Sequence, residues 1–163
     1  MRLQRYPETL AVVRLGPGAE VPSWAESSSV FSITATATET SIVCAARSVP
    51  TKAIAQRPFT AFEVEGPLDF SLTGVLAGLL NPLAEAGISV FSLSTFDTDW
   101  LLVPGGDADR AAEAWRAAGH EVTAAVPVVP AGSSSPARHA EKSGQKPAER
   151  SGSKRSGKGR KQK

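Results

Sequence analysis

Residues 90–100, VFSLSTFDTDW, echo residues 30–40, VFSITATATET. At a spacing of sixty, Val30, Phe31, Ser32 and Thr38 fall on Val90, Phe91, Ser92 and Thr98, and Glu39 falls on Asp99. Upstream, Leu15-Gly16-Pro17 answers Glu65-Gly66-Pro67 at a spacing of fifty. A phrase written twice in a short chain limits the folds open to it. One sixty-residue unit leaves sheet edges and apolar surface uncovered and is marginal alone, whereas two such units share a core.

The elements between these phrases follow from periodicity. Thr9–Leu15 alternates with β-branched residues and reads as a strand that Gly16-Pro17-Gly18 ends. Residues 19–29 allow a short helix at most, with Pro22 suited to its first turn. Residues 30–37 and 41–46 form a hairpin turning near Glu39-Thr40, and 47–57 is a connector. Phe59–Glu65 alternates again and stops at Gly66-Pro67. Leu72, Val75, Leu76, Leu79, Leu80 and Leu83 then share one helical face, with Asp69 or Ser71 as cap, Gly87 as stop and a bend predicted at Gly78–Pro82.

Ile88–Ser94 and Thr98–Val103 read as a hairpin around Phe96-Asp97. Asp107 caps a second helix bearing Ala108, Ala111, Ala112, Trp115 and Ala118 on one face, and Val122–Val128 is a last strand. The second half is thus β-α-β-β-α-β, the ferredoxin-like order. The first half offers a reduced version. The expected architecture is α+β, with two ferredoxin-like modules side by side over residues 1–57 and 58–130.

Charge divides the chain differently. The net charge is +2, but residues 131–163 hold ten Lys/Arg and two Glu, no aliphatic side chain larger than alanine and no aromatic. This segment reads as a disordered basic tail, either a passive solubilising arm or a weak, salt-sensitive contact for a polyanion. The remaining body is acidic. The lone Cys44 lies in an apolar run and reads as a buried, inert thiol. Neither a signal peptide nor an apolar run of membrane-spanning length is present, so a cytoplasmic protein is expected.

Enzyme chemistry finds little support. The two histidines are His120, read as a surface residue, and His139 in the tail; no His/Cys cluster has zinc spacing, and no phosphate-binding glycine loop occurs. The reading is non-catalytic, with no cofactor or metal. Binding is better supported. The loop Gly66–Asp69 lies before a helix start, where free N–H groups suit a carboxylate. The turn Ser94–Asp99 adds carbonyls and the carboxylates of Asp97 and Asp99, which suit an ammonium or guanidinium. A free amino acid carries both kinds of group, although turn chemistry alone explains the same residues.

Residues 65–103, EGPLDFSLTGVLAGLLNPLAEAGISVFSLSTFDTDWLLV, resemble the ACT domain, and in particular the paired ACT modules of lysine-type aspartokinases, CASTOR arginine sensors and small stand-alone bacterial proteins. The resemblance is strong over Phe59–Val128 and weaker over Thr9–Arg47. It implies a regulatory sensor that binds a free amino acid, with a basic one favoured by the acidic residues, at the interface of paired modules in a homodimer. By position, the ligand would meet Gly66, Leu68, Asp69 and Ser71 on the loop and Thr95, Phe96 and Asp99 on the hairpin, Asp99 taking the cationic group. The strand around Ser28–Phe31 would close the pocket. In the first copy Ala35-Thr36-Ala37 stands where Thr95-Phe96-Asp97 stands in the second, so one copy binds and the other supports. Two other readings remain beside this one. One is a ligand-free interaction module using edge pairing and the polybasic tail. The other is nucleic-acid binding, disfavoured by an acidic body that lacks the aromatic pair such sheets use.

Overall fold

The computed structural model describes residues 1–124. The rest of the expected last strand, the tail at 131–163 and His139 lie outside the described residues. Seven strands form one sheet. They are β1 (Arg2–Leu15), β2 (Ser32–Ala35), β3 (Thr40–Ala45), β4 (Ile54–Val64), β5 (Phe91–Ser94), β6 (Asp99–Pro104) and β7 (Glu121–Ala124). Two helices, α1 (Val75–Glu85) and α2 (Ala108–Ala117), join them. The strand order is β2-β3-β1-β4-β6-β5, and β7 pairs with β1.

β1 is twice the expected length. Its first part was masked in the sequence by Pro7, which donates no ladder hydrogen bond. Pro7 sits where the register against β4 shifts, between Arg5 and Thr9, an irregularity that tolerates it. The two ends of β1 then do different work. Leu10–Leu15 pairs antiparallel with β3, whereas Arg2–Arg5 runs parallel to β7, from Arg2 opposite Glu121 to Arg5 opposite Ala124. Leu3 also faces Val64 of β4. The segment from β4 to β7 has the expected β-α-β-β-α-β order, but the start of β1 is inserted between its first and last strands. β4 likewise runs unbroken from Ile54, so the connector expected at 47–57 ends in a strand, and residues 57 and 58 sit in its middle.

The repeat needs a one-residue correction. Ala35 opposes Thr40 and Ser94 opposes Asp99, so the two turns they close are Thr36–Glu39 and Thr95–Thr98. Both close alike: the Thr36 amide donates to the Glu39 carbonyl at 2.9 Å and the Thr95 amide to the Thr98 carbonyl at 2.8 Å. Thr36-Ala37-Thr38 therefore stands where Thr95-Phe96-Asp97 stands, Glu39 matches Thr98, and Thr40 matches Asp99. Side-chain direction agrees, since a one-residue slip would send each strand residue to the opposite face. Ile42 and Cys44 face one layer as Leu101 and Val103 do, while Val43 joins Trp100 and Leu102 behind.

The core follows this alternation. On one face Leu3, Phe62, Val64, Leu101 and Val103 meet Leu79 and Leu83 of α1 and Ala111 and Trp115 of α2. Trp115 is fully buried, its ring lies edge-on to Phe62 at 4.8 Å, and its Nε1 donates to the Leu79 carbonyl at 2.8 Å. Each large side chain so buried contributes about 1.5–3 kcal/mol. Leu10, Val43, Ala61, Trp100 and Leu102 form a second cluster, and Ala11, Val13, Ile42 and Cys44 a third. Burial pushes the Cys44 thiol up, with the Glu8 charge adding to it, which keeps the thiol protonated.

Two helix starts differ from expectation. α1 begins only at Val75, after Gly74 at φ 78°, a left-handed conformation that glycine adopts without strain. Residues before it form turns, so Leu72 is more than half exposed instead of lying on the buried helix face. Asp107 does stand before α2, but its carboxylate binds Arg110 at 2.6 Å and caps no amide. Pro82 lies inside α1 without ending it, leaving the Gly78 carbonyl without an amide donor four residues on. His120 Nε2 stands 3.3 Å from that carbonyl.

Candidate functional site

Two loops meet above the C-terminal end of β4. The Leu68 amide donates to the Asp97 carbonyl at 2.7 Å, which ties the loop after β4 to the β5–β6 turn. Thr98, almost buried, donates its hydroxyl to the Val64 carbonyl and so fastens the turn to the end of β4. Gly66 is required at this junction. A Cβ there would stand 2.6 Å from the Asp97 carbonyl oxygen.

Between the loops lies a cleft of about 200 Å³. Leu68, Asp69, Phe70, Leu72 and Val75 form one wall, and Ser94 through Asp99 the other. Five of the seven residues singled out from sequence line it: Leu68, Asp69, Thr95, Phe96 and Asp99. Gly66 does not; it borders a neighbouring polar cleft with Glu63, Glu65 and Asp97. Ser71 does not either; its hydroxyl and amide both donate to Asp69 Oδ1, at 2.6 and 2.8 Å. Residues 28–31 are likewise not among those lining the cleft.

Asp69 is therefore the acceptor of a tight turn and not a helix cap. The Ser71 hydroxyl, and after it the Ser71 amide, hold its carboxyl below the usual value. Asp99 accepts the Ser94 hydroxyl at 2.5 Å, and Thr95 uses its hydroxyl within its own turn. The first helical hydrogen bond of α1 runs from Gly78 to Gly74, so the amides of Val75, Leu76 and Ala77 have no helical acceptor. Of these three residues Val75 lines the cleft, with the carboxylate of Asp69 on the same wall and those of Asp97 and Asp99 on the other. None of the residues lining it is Lys, Arg or His.

Sequence reasoning passed over Phe70, Leu72, Val75, Ser94 and Thr98 as site residues. Leu72 was assigned to the start of a helix that in fact begins later. A left-handed Gly74 was the signal available, since it separates a loop from the periodic run. Among the described residues no group of three His, Cys, Asp or Glu is placed to hold a metal ion, and no helix is long and apolar enough to cross a membrane.

Known proteins bear on this arrangement. The ACT-domain profile matches residues 54–116, and a profile for an N-terminal domain matches residues 8–52. The crystal structure of Atu0741 from Agobacterium tumefaciens shares 32% identity, with a TM-score of 0.72, over 77% of this chain and 94% of that one. Residues 54–116 of this chain are an ACT domain. Other solved structures share the ACT fold at lower identity. The regulatory subunit of aspartate kinase from Thermus flavus has 11% identity and a TM-score of 0.52, covering 72% of this chain and 96% of its own. Aspartate kinase from Clostridium acetobutylicum has 11% identity and a TM-score of 0.56, covering 71% of this chain and 34% of its own. Among curated proteins the chain has no significant match.

Proposed function

We propose that this ACT-domain protein is a non-catalytic sensor that binds a free amino acid in the cleft between Leu68–Val75 and Ser94–Asp99. The observation that carries the reading is the lining of the cleft, with the start of α1 at Val75 and the carboxylate of Asp69 on one wall and the carboxylates of Asp97 and Asp99 on the other. The amides suit the ligand's carboxylate and Asp99 its ammonium or side-chain cation. Three carboxylates without a cation among the lining residues favour a basic amino acid. A ligand of about ten heavy atoms, each contributing roughly 0.6–0.8 kcal/mol, binds in the micromolar range.

The wider reading has two ACT-type units. The first, residues 1–57, is reduced and gives support, with Thr40 in place of Asp99; the second, 58–130, binds; the basic segment 131–163 follows. The units share β1 and β4. The protein acts in the cytoplasm as a homodimer whose paired units enclose the ligand, and the basic segment makes a weak polyanion contact. A thermal-shift screen of the full chain against the common amino acids at several millimolar tests the reading. One or two should raise the melting temperature, and Asp99→Ala should abolish the rise without altering the unliganded protein. No rise with any amino acid would sink it.

One observation favours a second reading, a ligand-free interaction module. The edge strands β2 (SITA) and β5 (FSLS) carry no charge and no proline, the usual guards against edge pairing. Self-association indifferent to every amino acid would select this reading.

A further inference from the structure

Phe70 and Phe96 are the most exposed large apolar side chains among the described residues, at 77% and 80%. Hydration of so much aromatic surface is unfavourable, and the two rings recover little of it in the protein interior. They are nevertheless placed together. They reach the mouth of the cleft from opposite loops and meet edge to face, with centroids 5.1 Å apart and planes at 68°. In that geometry at least one face of each ring stays open. The carboxylates of Asp69, Asp97 and Asp99 line the same cleft, and no cation among the described residues pairs with any of them.

An open ring face carries partial negative charge and attracts a cation within about 6 Å of its centroid. Ring faces and carboxylates at one mouth therefore prefer the same kind of guest. A purely apolar side chain would cover the rings but would strip water from the carboxylates with nothing in exchange. A cationic side chain with an aliphatic stem satisfies both, laying its stem on the rings and its head between them and the acids.

We propose that Phe70, together with Phe96, is a specificity-determining residue that reads the cationic end of the ligand's side chain. This rests on the amino-acid reading above and assigns the ligand's side chain to the Phe70 side of the cleft. Because both rings are exposed, replacing them leaves the core untouched.

The test is isothermal titration of the full-length protein and of Phe70→Leu and Phe96→Leu with L-arginine, L-lysine and the neutral analogues L-citrulline and L-norleucine. The wild-type protein should bind a cationic ligand at least tenfold more tightly than its neutral analogue. Phe70→Leu should lower that ratio about threefold to tenfold while leaving norleucine affinity within twofold and the melting temperature unchanged. A Phe70→Leu protein that weakens for all four ligands equally, or keeps the wild-type ratio, overturns the role of Phe70 and leaves the amino-acid reading standing. A wild-type protein that binds no amino acid overturns both.

Discussion

The Leu68 amide and the Asp97 carbonyl, 2.7 Å apart, join two loops separated by about thirty residues of sequence. Asp97 cannot be displaced from Leu68 without opening the cleft, because the same carbonyl oxygen also packs on Gly66. The site is thus a property of this junction rather than of either loop.

Gly66→Ala tests the junction. The new Cβ would come within 2.6 Å of the Asp97 oxygen, a backbone atom that can move only with its turn. Stability should fall by about 1–3 kcal/mol, read from urea unfolding, and ligand-induced stabilisation should be lost. Unchanged stability would mean that the loops do not pack as closely as this.

Thr98→Val keeps the shape of the side chain and removes its hydroxyl. The Val64 carbonyl then loses a buried donor, which costs about 1–3 kcal/mol. The urea midpoint should drop with the slope preserved. A drop of less than a few tenths would show that water replaces the hydroxyl.

Leu3→Ala probes the insertion of β1 between β4 and β7. Leu3 is fully buried against the α1–α2 face although it lies at the start of the chain. The variant should lose about 2–5 kcal/mol, and proteolysis should then cut within residues 1–8 first. A frayed, dispensable terminus would show neither effect.

Glu8 makes a pH prediction. Burial works to raise its carboxyl, but the Ser29 hydroxyl, Arg47 and the Ser29 amide together outweigh it and hold the carboxyl below the ordinary 4.5. A carboxyl lowered by folding adds stability above its unfolded value, and that stability is lost as pH falls through the folded value. Urea midpoints measured from pH 6 to pH 3 should therefore decline more steeply in the wild type than in Glu8→Gln. Parallel declines would remove Glu8 from the account.

Much of this was legible in the residues themselves. Alternation over Thr9–Leu15 and Phe59–Glu65, the apolar face containing Leu79 and Leu83, and the glycine stop at Gly87 mark elements the structure contains. Five of seven expected site residues line one cleft because the loops that carry them follow a strand end and a hairpin turn, both visible locally. The turn equivalence that matches Glu39 to Thr98 was not visible. The strongest letter match lies at a spacing of sixty, whereas the hairpins superpose at fifty-nine, and local identity does not count hydrogen bonds.

Sequence alone determined the alternation of the strands and the inward face of Leu79 and Leu83, since periodicity and the backbone limits of glycine and proline act over a few residues. Only the tertiary structure decided the rest. The insertion of Arg2–Arg5 beside β7, the continuity of β4 and the meeting of Phe70 with Phe96 all depend on which distant surfaces bury one another. That choice is made by non-local apolar burial and strand pairing, which no short stretch of sequence encodes by itself.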